Sequence, residues 1–293
     1  MDLCVAGLPI CVESADKEFF HKRYEAYRRE DDREPVMRMR TQVMDSLTVP
    51  QGEFVERIRN VQVVRLPDGR LCRYLCRNGA DTPAFVISWT PDYAQVEILL
   101  SASQPHPQLS LQDLEYVYTG IMFHNRFSYL GGCSLHSSAL AWRGQGIAFS
   151  APSGTGKSTH TGLWKERFGD DVVIVNDDKP MLRFEEDGVY MYGSPWSGKT
   201  ALNVNCRVPL RAIVFLERGE SNTVRPMEPV EAMLSLSTQI ARPYYDAALG
   251  EQLVDITGRL LTALPIYQLT CSISQKAVDA VFDAIFAQGD VNI

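Results

Sequence analysis

Residues 151–159, Ala-Pro-Ser-Gly-Thr-Gly-Lys-Ser-Thr, constrain the fold of this chain more than any other stretch. The apolar residues 146–150 before them are typical of a buried strand, and residues 158–168 after them favour a helix. In a strand, loop and helix of this kind, successive backbone N–H groups point into one concavity at a helix N-terminus, which favours an anion. The pattern therefore predicts a phosphate-binding loop of the Walker A type.

The residue types of this loop suit the binding of nucleotide phosphates. Gly154 and Gly156 permit backbone angles and a close approach that a Cβ would block. Lys157 supplies a positive charge toward the β- and γ-phosphates, and the hydroxyl of Ser158 is a ligand for Mg²⁺. Ala151 stands where glycine is commoner. The residues predicted to bind the nucleotide are Ser153, Gly154, Thr155, Gly156, Lys157, Ser158 and Thr159.

Two acids follow the loop at a short distance. Residues 171–176 are mostly apolar and β-branched, which favours a buried strand, and Asp177 and Asp178 stand at its carboxyl end. That end of a strand is where α/β sheets bind ligands. In a phosphoryl-transfer site, one Asp would hold Mg²⁺ and the other would orient or deprotonate the acceptor. A solvated turn before Lys179 and Pro180 is the alternative.

The interval between Lys157 and Asp177 narrows the class of nucleotide-binding protein. Twenty residues leave room for one helix and one strand, so the acidic strand follows the helix of the loop directly. The chain has neither the Leu-Ser-Gly-Gly-Gln signature of ABC ATPases nor the Asn-Lys-x-Asp motif of GTPases. Neither class is therefore favoured.

A segment before the loop completes the pattern. Residues 133–142 favour a strand, and this strand carries His136 within Leu-His-Ser-Ser-Ala-Leu. Together with the loop and with Asn176-Asp177-Asp178, the segment resembles the HPr kinase/phosphorylase and phosphoenolpyruvate carboxykinase superfamily of P-loop kinases. The resemblance covers about residues 109–285.

The resemblance implies roles for individual residues. It places His136 near the phosphates and counts it with Lys157 among the catalytic residues, and it makes Asp177 the catalytic base. It also makes Ser158 and Asp178 the ligands of Mg²⁺. ATP is the expected donor, with ADP and pyrophosphate as alternatives. Because HPr kinases are hexamers, the resemblance further implies that the chain self-associates.

Two departures from the family pattern disfavour an HPr-like protein as the acceptor. Tyr190 stands where HPr kinases carry an acidic residue implied to help hold Mg²⁺, and residues 195–199 replace the stretch that follows in those kinases. Lys199, in a Gly- and Ser-rich loop, is a candidate for contacting substrate or phosphate. Arg207 is a candidate for clamping an anionic acceptor, with a plain loop end as the alternative. The metal-binding Lys and His pattern of the carboxykinases is not evident, so oxaloacetate chemistry is not supported.

The N-terminal part of the chain carries no evident chemistry. Between residues 61 and 101, runs of β-forming residues alternate with Asp-Gly and Asn-Gly turns, which predicts an antiparallel meander. Residues 103–108 favour a linker, and Ser110 then caps a helix from Leu111 to about Tyr129. Residues 30–60 receive no assignment.

Composition limits the partners and the compartment. A net charge of −7 without a basic tract argues against a nucleic-acid partner. No apolar stretch is long enough to cross a membrane. The start of the chain lacks the basic region of a signal peptide, and the seven scattered cysteines fit a reducing cytoplasm.

These observations predict an α/β (α+β) fold. A β-rich region of residues 1–108 precedes an HPr-kinase-like nucleotide-binding domain with a mixed sheet, residues 109–293. The favoured activity is Mg²⁺-dependent phosphoryl transfer from a nucleotide to a hydroxyl. Three hypotheses for the function follow. The chain is a kinase of a small hydroxylated metabolite such as serine, a kinase of a peptide or protein, or a nucleotide-binding module without turnover.

Overall fold

The computed structural model describes residues 1–77, 80–198, 200–243 and 245–287. The chain forms two compact units, Met1–Leu130 with Arg242–Gly250, and Gly131–Ala241 with Glu251–Ile293. Each unit contains a sheet with both parallel and antiparallel pairs of strands, together with helices. The chain is therefore a mixed α/β protein, in agreement with the expected α+β class.

The first unit is built on one eight-stranded sheet. Its strands are β1 (Asp2–Val5), β2 (Leu8–Glu13), β3 (Met37–Met44), β4 (Glu53–Ile58), β5 (Val61–Arg65), β6 (Leu71–Cys76), β7 (Pro83–Trp89) and β8 (Gln95–Ser101). Their spatial order is β1-β2-β3-β8-β7-β6-β5-β4. Strands β4 to β8 pair antiparallel along the chain, so the predicted meander is confirmed. Asn78 and Gly79, which were expected to form one of its turns, lie outside the described residues.

Strand β3 makes this sheet mixed. It pairs in parallel with β2 on one side and with β8 on the other. Both β3 and β4 lie within residues 30–60, which the sequence left without an assignment.

Two helices of the first unit are α1 (Lys17–Tyr24) and α2 (Leu111–Tyr129). The side chain of Ser110 accepts the N–H of Asp113, and the Asp113 side chain accepts the N–H of Ser110, so the predicted cap is present as a capping box. Helix α2 packs on β3 and β8. The first unit consequently extends to Leu130, beyond the predicted division between residues 108 and 109.

The second unit carries nine strands of the described chain. They are β9 (Cys133–Ser134), β10 (Ser137–Trp142), β11 (Gln145–Ser150), β12 (Val172–Asn176), β13 (Met181–Glu185), β14 (Gly188–Tyr192), β15 (Arg207–Arg218), β16 (Thr223–Pro226) and β17 (Ile266–Cys271). The further helices of the chain are α3 (Lys157–Phe168), α4 (Pro229–Gln239), α5 (Ala247–Ala263) and α6 (Gln275–Phe286). The sheet runs in the order β12-β10-β11-β15-β14-β13-β9, and β17 pairs with β15 and β16.

Helices cover both faces of this second sheet. Neighbouring residues alternate between two apolar clusters, as Ile213 and Val214 do on β15. The cluster with Ile213 includes Leu236 of α4 and Leu260 of α5, whereas the cluster with Val214 includes Trp164 of α3 and residues of α6. The sheet is thus a central layer between two pairs of helices, as the period of two along a buried strand requires. None of the described helices is long and apolar enough to cross a membrane.

The ends of several strands lie at one edge of this sheet. Strands β11, β15 and β17 run in parallel, so their carboxyl ends lie at the same edge. Strand β10 is antiparallel to both β11 and β12, which brings the end of β12 and the beginning of β10 to that edge as well. The predicted phosphate loop, the two acids and the segment of His136 therefore converge there.

Candidate functional site

The loop that is predicted to bind phosphate, called the phosphate loop below, connects β11 to α3, and the predicted order of strand, loop and helix is confirmed. The strand ends at Ser150 and the helix begins at Lys157, with Gly156 as its N-cap. Gly154 and Gly156 have φ values of 81° and 119°, which side chains with a Cβ rarely adopt. Glycine at these two positions therefore follows from the backbone geometry of the loop.

The amine of Lys157 lies inside the loop. Its Nζ donates to the carbonyl of Ala151 at 2.9 Å and lies 3.0 Å from Nε2 of His136. Lys157 is 8% exposed, and burial lowers the pKa of its amine, while the charges of Asp178 and Asp177 oppose that shift. A buried cation at this place is suited to an anionic ligand.

His136 links Lys157 to Asp178. Its Nδ1 lies 3.0 Å from Oδ1 of Asp178, and Lys179 donates to Oδ2 of the same carboxylate at 2.8 Å. Because a lysine ammonium can only donate, Nε2 of His136 accepts and Nδ1–H donates to Asp178. Burial alone would raise the pKa of Asp178, but the hydrogen bond from His136 and the charge of Lys179 hold that pKa well below its ordinary value.

The predicted strand that carries His136 is interrupted at that residue. Strands β9 and β10 are separated by Leu135 and His136, so the expectation of one continuous strand over residues 133–142 was wrong. The N–H of His136 donates to the carbonyl of Gln239 at 2.8 Å, outside the sheet ladder. This break brings the imidazole to Lys157 and Asp178.

Asp177 has different surroundings from Asp178. Its Oδ1 accepts the hydroxyl of Ser138 at 2.6 Å, and Ser138 lies 2.8 Å from the hydroxyl of Thr161 on α3. Asp177 is 9% exposed, and Ser138 and Thr161 are buried. Among the residues described, Oδ2 of Asp177 has no hydrogen bond, so it is available to a ligand or a proton.

Asn176 holds the turn that carries both acids. Its Oδ1 accepts the N–H groups of Asp178 and Lys179 at 2.9 and 2.7 Å. Its Nδ2 donates to the carbonyl of Ser194 at 3.0 Å, which ties the turn to the segment after β14. A Cβ on Gly198, whose φ is 70°, would lie 3.0 Å from Cβ of Asp178. The same segment continues to Lys199, a predicted substrate contact that lies outside the described residues.

Arg218, which the sequence did not indicate, holds the phosphate loop from the end of β15. Its guanidinium donates to the carbonyls of Gly154 and Thr155, the second at 3.2 Å. A trans peptide unit points its C=O and its N–H in opposite directions. Holding these carbonyls therefore fixes the directions of the N–H groups of Thr155 and Gly156.

The sequence also did not reveal the contacts of Ser138 and Thr161, or that Asn176 positions the turn that carries the two acids. The only sequence signal for Ser138 was its place two residues after His136. Thr161 follows Lys157 by one helical turn, which puts it on the same face of α3. Arg218 had no comparable signal in the sequence.

The remaining residues of the loop lie around these groups. Ser158 is the second residue of α3, and its side chain is exposed. Ser153 lines a cavity of about 540 Å³, and Thr159 lines a second cavity of about 670 Å³. His160 is buried, accepts the indole N–H of Trp164 at 3.2 Å and has its pKa lowered to about 4 by burial. His160 therefore packs against Trp164 within α3.

Arg207 is held in a different cluster. Its guanidinium pairs with Glu185 and lies 3.5 Å from the centre of the Tyr190 ring. The Tyr190 hydroxyl donates to Asp187 at 2.7 Å. The structure thus brings His136, Lys157 and Asp178 together at the loop but joins Arg207 to Glu185 and Tyr190. Its expected contact with an anionic acceptor stays a prediction.

A cage of protein ligands for a metal is not found in the described part of the chain. No group of three or more His, Cys, Asp or Glu side chains there could hold a metal ion. Mg²⁺ in nucleotide sites is commonly held by one or two carboxylates together with phosphates and waters. The hydroxyl oxygen of Ser158 and the carboxylate oxygens of Asp178 are of the type that such a Mg²⁺ site uses.

The comparisons with known proteins concern the part of the chain that holds this site. A family model described as "SynChlorMet cassette protein ScmC" matches residues 107–283. The chain belongs to the ScmC family. No curated protein matches it. Among solved structures it is similar to the HPr(Ser) kinase/phosphatase from Coxiella burnetii, with 14% identity over 52% of this chain and 95% of that chain, at a TM-score of 0.30.

The match to the ScmC family takes in every described residue of the site. It begins before α2 and ends within α6, so it spans the phosphate loop, His136, the two acids and Arg218. The likeness to the Coxiella protein is distant and gives no information on activity. What the site can do follows from its own side chains. They provide one buried cation, one carboxylate held ionised, and one carboxylate whose second oxygen has no hydrogen bond among the described residues.

Proposed function

We propose that this ScmC-family protein is a Mg²⁺-dependent kinase that transfers a phosphoryl group from ATP to a hydroxyl. The observation that carries the proposal is the convergence of Lys157, His136, Asp178 and Asp177 at one edge of the sheet, beside the phosphate loop. The loop supplies N–H groups, and Lys157 supplies a charge, for the phosphates. His136 accepts a hydrogen bond from Nζ of Lys157 and so fixes the position of this ammonium group.

Mg²⁺ would be held by the hydroxyl of Ser158 and the carboxylate of Asp178, together with phosphate oxygens. When bound, it neutralises charge on the phosphates. Asp178 suits the role of a Mg²⁺ ligand because its low pKa keeps it ionised. Each of its oxygens also retains a lone pair beyond the hydrogen bonds that it accepts from His136 and Lys179.

Asp177 would act as the general base. The acceptor oxygen forms a bond to the transferred phosphorus, the bond from that phosphorus to the leaving oxygen breaks, and ADP departs. The acceptor proton goes to the free Oδ2 of Asp177. Ser138 holds the other oxygen of this carboxylate at 2.6 Å, which orients Oδ2 without a competing hydrogen bond among the described residues.

The acceptor is proposed to be a small hydroxylated metabolite, such as serine, or a Ser of a peptide or protein. Arg207 and Lys199 remain candidates for contacting it. A nucleotide-binding module without turnover is the competing reading, because Tyr190 stands in place of an acidic residue of the resembled kinases. In the structure, Tyr190 contacts Arg207 and Asp187.

The test is a transfer assay with γ-labelled ATP and Mg²⁺ against pooled amino acids, sugars and short peptides. The proposal expects a labelled acceptor with the native protein and none with Lys157→Ala. Asp170→Asn changes an exposed acid of the same unit and serves as the matched control, which should keep full activity. ATP that binds but is never transferred to any pooled or protein acceptor would favour the module without turnover.

A further inference from the structure

A further cavity, also of about 540 Å³, lies in the first unit where β2 ends. Glu13, the last residue of β2, pairs with Arg40 of β3, and β3 continues beyond that pair to Met44. The chain leaves β2 at this point and enters α1 at Lys17. The cavity lies between the end of β2, the continuing part of β3 and α1. Its residues lie outside the part of the chain that the ScmC family model matches.

The place and the size of this cavity suit a small molecule. Strands β2 and β3 are parallel neighbours, and α1 lies between them in sequence. Where parallel strands are connected through a helix, ligands bind in the crevice beyond the carboxyl ends of the strands. Sites for small ligands have volumes of about 300–1,000 Å³, a range that includes this cavity.

Several side chains that line the cavity are hydrogen-bond donors without an acceptor. Lys17 and His21 are four residues apart on α1, so they share one face of that helix. The ammonium group of Lys17 has neither a hydrogen bond nor an ion pair among the described residues. Gln42, on β3, brings a side-chain amide that likewise has no hydrogen bond in the described part of the chain.

His21 offers an N–H group because of its contact with Arg28. Nη1 of Arg28 lies 2.9 Å from Nε2 of His21. A guanidinium can only donate, so Nε2 accepts and the ring carries its proton on Nδ1. Within the residues described, Nδ1 has no hydrogen bond, so it can donate to a ligand.

The charges around the cavity favour an anion. Glu13 is the one acid among the described residues that line it, and its carboxylate already pairs with Arg40 at 3.5 Å. Lys17 keeps its positive charge without such a partner, and Arg28 adds another positive charge beside His21. The chain as a whole has a net charge of −7, so this cationic cavity is opposite in sign to the average of the molecule. Carboxylate and phosphate oxygens are the acceptors that such donors bind most strongly.

We propose that this cavity is a binding site for a small anionic metabolite that carries a carboxylate or a phosphate group. Nζ of Lys17 and Nδ1–H of His21 donate to the anionic group, and the amide of Gln42 donates to another oxygen of the same molecule. Arg40 stays paired with Glu13 and adds positive charge. The site shares no residue with the phosphate loop and does not depend on phosphoryl transfer.

The test measures the binding of citrate and of inorganic phosphate to the full chain by calorimetry at low ionic strength. Lys17→Met removes the unpaired charge and keeps a side chain of similar length. It should weaken binding about tenfold or more, as the loss of a hydrogen bond to a charged group does. Lys22→Met removes the same charge from an exposed position of α1 that does not line the cavity, and it should leave the affinity unchanged.

Two comparisons identify the ligand and separate this cavity from the phosphate loop. Tighter binding of citrate than of phosphate indicates a carboxylate ligand, and the reverse indicates a phosphate ligand. Lys157→Ala should leave the part of the binding that depends on Lys17 unchanged. The proposal is overturned if neither anion binds, if Lys17→Met and Lys22→Met have equal effects, or if only Lys157→Ala weakens binding.

A chemical label gives an independent check on the position of the site. Pyridoxal phosphate is an aldehyde with a phosphate group, and it forms an imine with an accessible lysine amine, with loss of water. Borohydride then reduces the imine to a stable amine that peptide mass spectrometry can locate. Lys17 should be labelled faster than Lys22, and the anion that binds in calorimetry should protect it. Equal labelling of the two lysines, or no protection, would also overturn the proposal.

Discussion

Asp177 and Asp178 are neighbours in the chain, but the residues around them differ. His136 and Lys179 each donate to an oxygen of Asp178, and these donors stabilise its ionised form. Asp177 accepts a neutral hydroxyl on one oxygen only, among the residues described. A carboxylate that is held ionised suits a metal, and one with a free oxygen suits a proton. This difference underlies the two roles proposed for the pair.

Ser138 should act as a positioning residue for Asp177. Ser138→Ala removes the 2.6 Å hydrogen bond to Oδ1 and allows the carboxylate to rotate. We expect transfer to slow about ten- to a hundredfold, because small displacements of a base have effects of that size, while the KM for ATP stays unchanged. Steady-state kinetics that separate kcat from KM measure this.

The neighbouring Ser137 provides the control for that substitution. It is equally buried, but its hydroxyl donates to the carbonyl of Leu135 at 3.3 Å. Ser137→Ala should cost about 1 kcal/mol of stability, as a lost hydrogen bond does, without lowering kcat. If both variants lose kcat equally, Ser138 has only a structural role.

The low pKa of Asp178 predicts how stability depends on pH. Its pKa in the folded chain lies below the ordinary value of 3.8, so its contribution is complete above that value and is lost as the pH falls below it. The difference in Tm between the native protein and Asp178→Asn should therefore be constant above about pH 5 and shrink below pH 3.8. Thermal unfolding monitored by circular dichroism measures it. A difference that grows toward acid would contradict the assigned hydrogen bonds.

The strand, loop and helix from β11 to α3 form the element on which the site depends. Two glycines with positive φ shape the loop, and Arg218 holds two of its carbonyls. The loop is therefore largely preorganised before a ligand binds. Substitutions that strain this backbone should affect ligand binding more than they affect the rest of the fold.

Gly156 and Gly162 allow a matched test within this element. Gly156 has a φ of 119°, so Gly156→Ala should cost about 1–3 kcal/mol of strain and weaken ATP binding strongly. Gly162 lies within α3 with open space around its Cβ position, and Gly162→Ala should raise stability by about 0.5–1 kcal/mol without changing ATP affinity. Denaturant unfolding and calorimetry measure both. Similar effects of the two substitutions would contradict the claim that the backbone at position 156 requires glycine.

At the scale of the whole molecule, residues 242–250 belong to the first unit although in sequence they lie between the two segments of the second unit. Asp246 accepts the N–H of Leu249 at 2.9 Å at the start of α5, and it accepts the hydroxyl of Tyr93 at 2.8 Å. The rings of Trp89 and Tyr245 lie 5.3 Å apart in the same unit. The first unit thus depends on a segment far along the chain.

Asp246→Ala should lower stability by about 1–3 kcal/mol, because it removes a helix cap and leaves the buried Tyr93 hydroxyl without this acceptor. Asp255→Ala, an exposed position further along α5, is the matched control and should change stability little. Denaturant unfolding compares them. Equal stability of the two variants would show that the 242–250 segment contributes little to the first unit.

Local patterns were enough to predict much of the second unit. The phosphate loop and the acidic strand have strong signals from glycine and from β-branched runs. The break at His136 was missed because it depends on a hydrogen bond to Gln239, a contact a hundred residues away that no local pattern records. Arg218 was missed for the same reason, since it meets the loop only through the pairing of β11 with β15.

The first unit was harder to predict. Strand β3 does carry a local signal, since Met37, Met39 and Thr41 are buried while Arg38 and Arg40 are exposed, an alternation with a period of two. Arginine and methionine are not among the residue types enriched in strands, so the composition of this segment did not indicate a strand. The division between the units was placed before α2, whereas the packing of that helix on β3 and β8 includes it in the first unit.

The central claim is phosphoryl transfer with Asp177 as the base, and a comparison of the native protein with Asp177→Asn tests it most directly. Both should bind ATP with the same affinity, because the loop and Lys157 hold the phosphates. Under single-turnover conditions with an acceptor found in the screen, transfer by Asp177→Asn should be about a hundredfold slower or more, the size of a lost general base. Transfer at the native rate by Asp177→Asn would contradict the account.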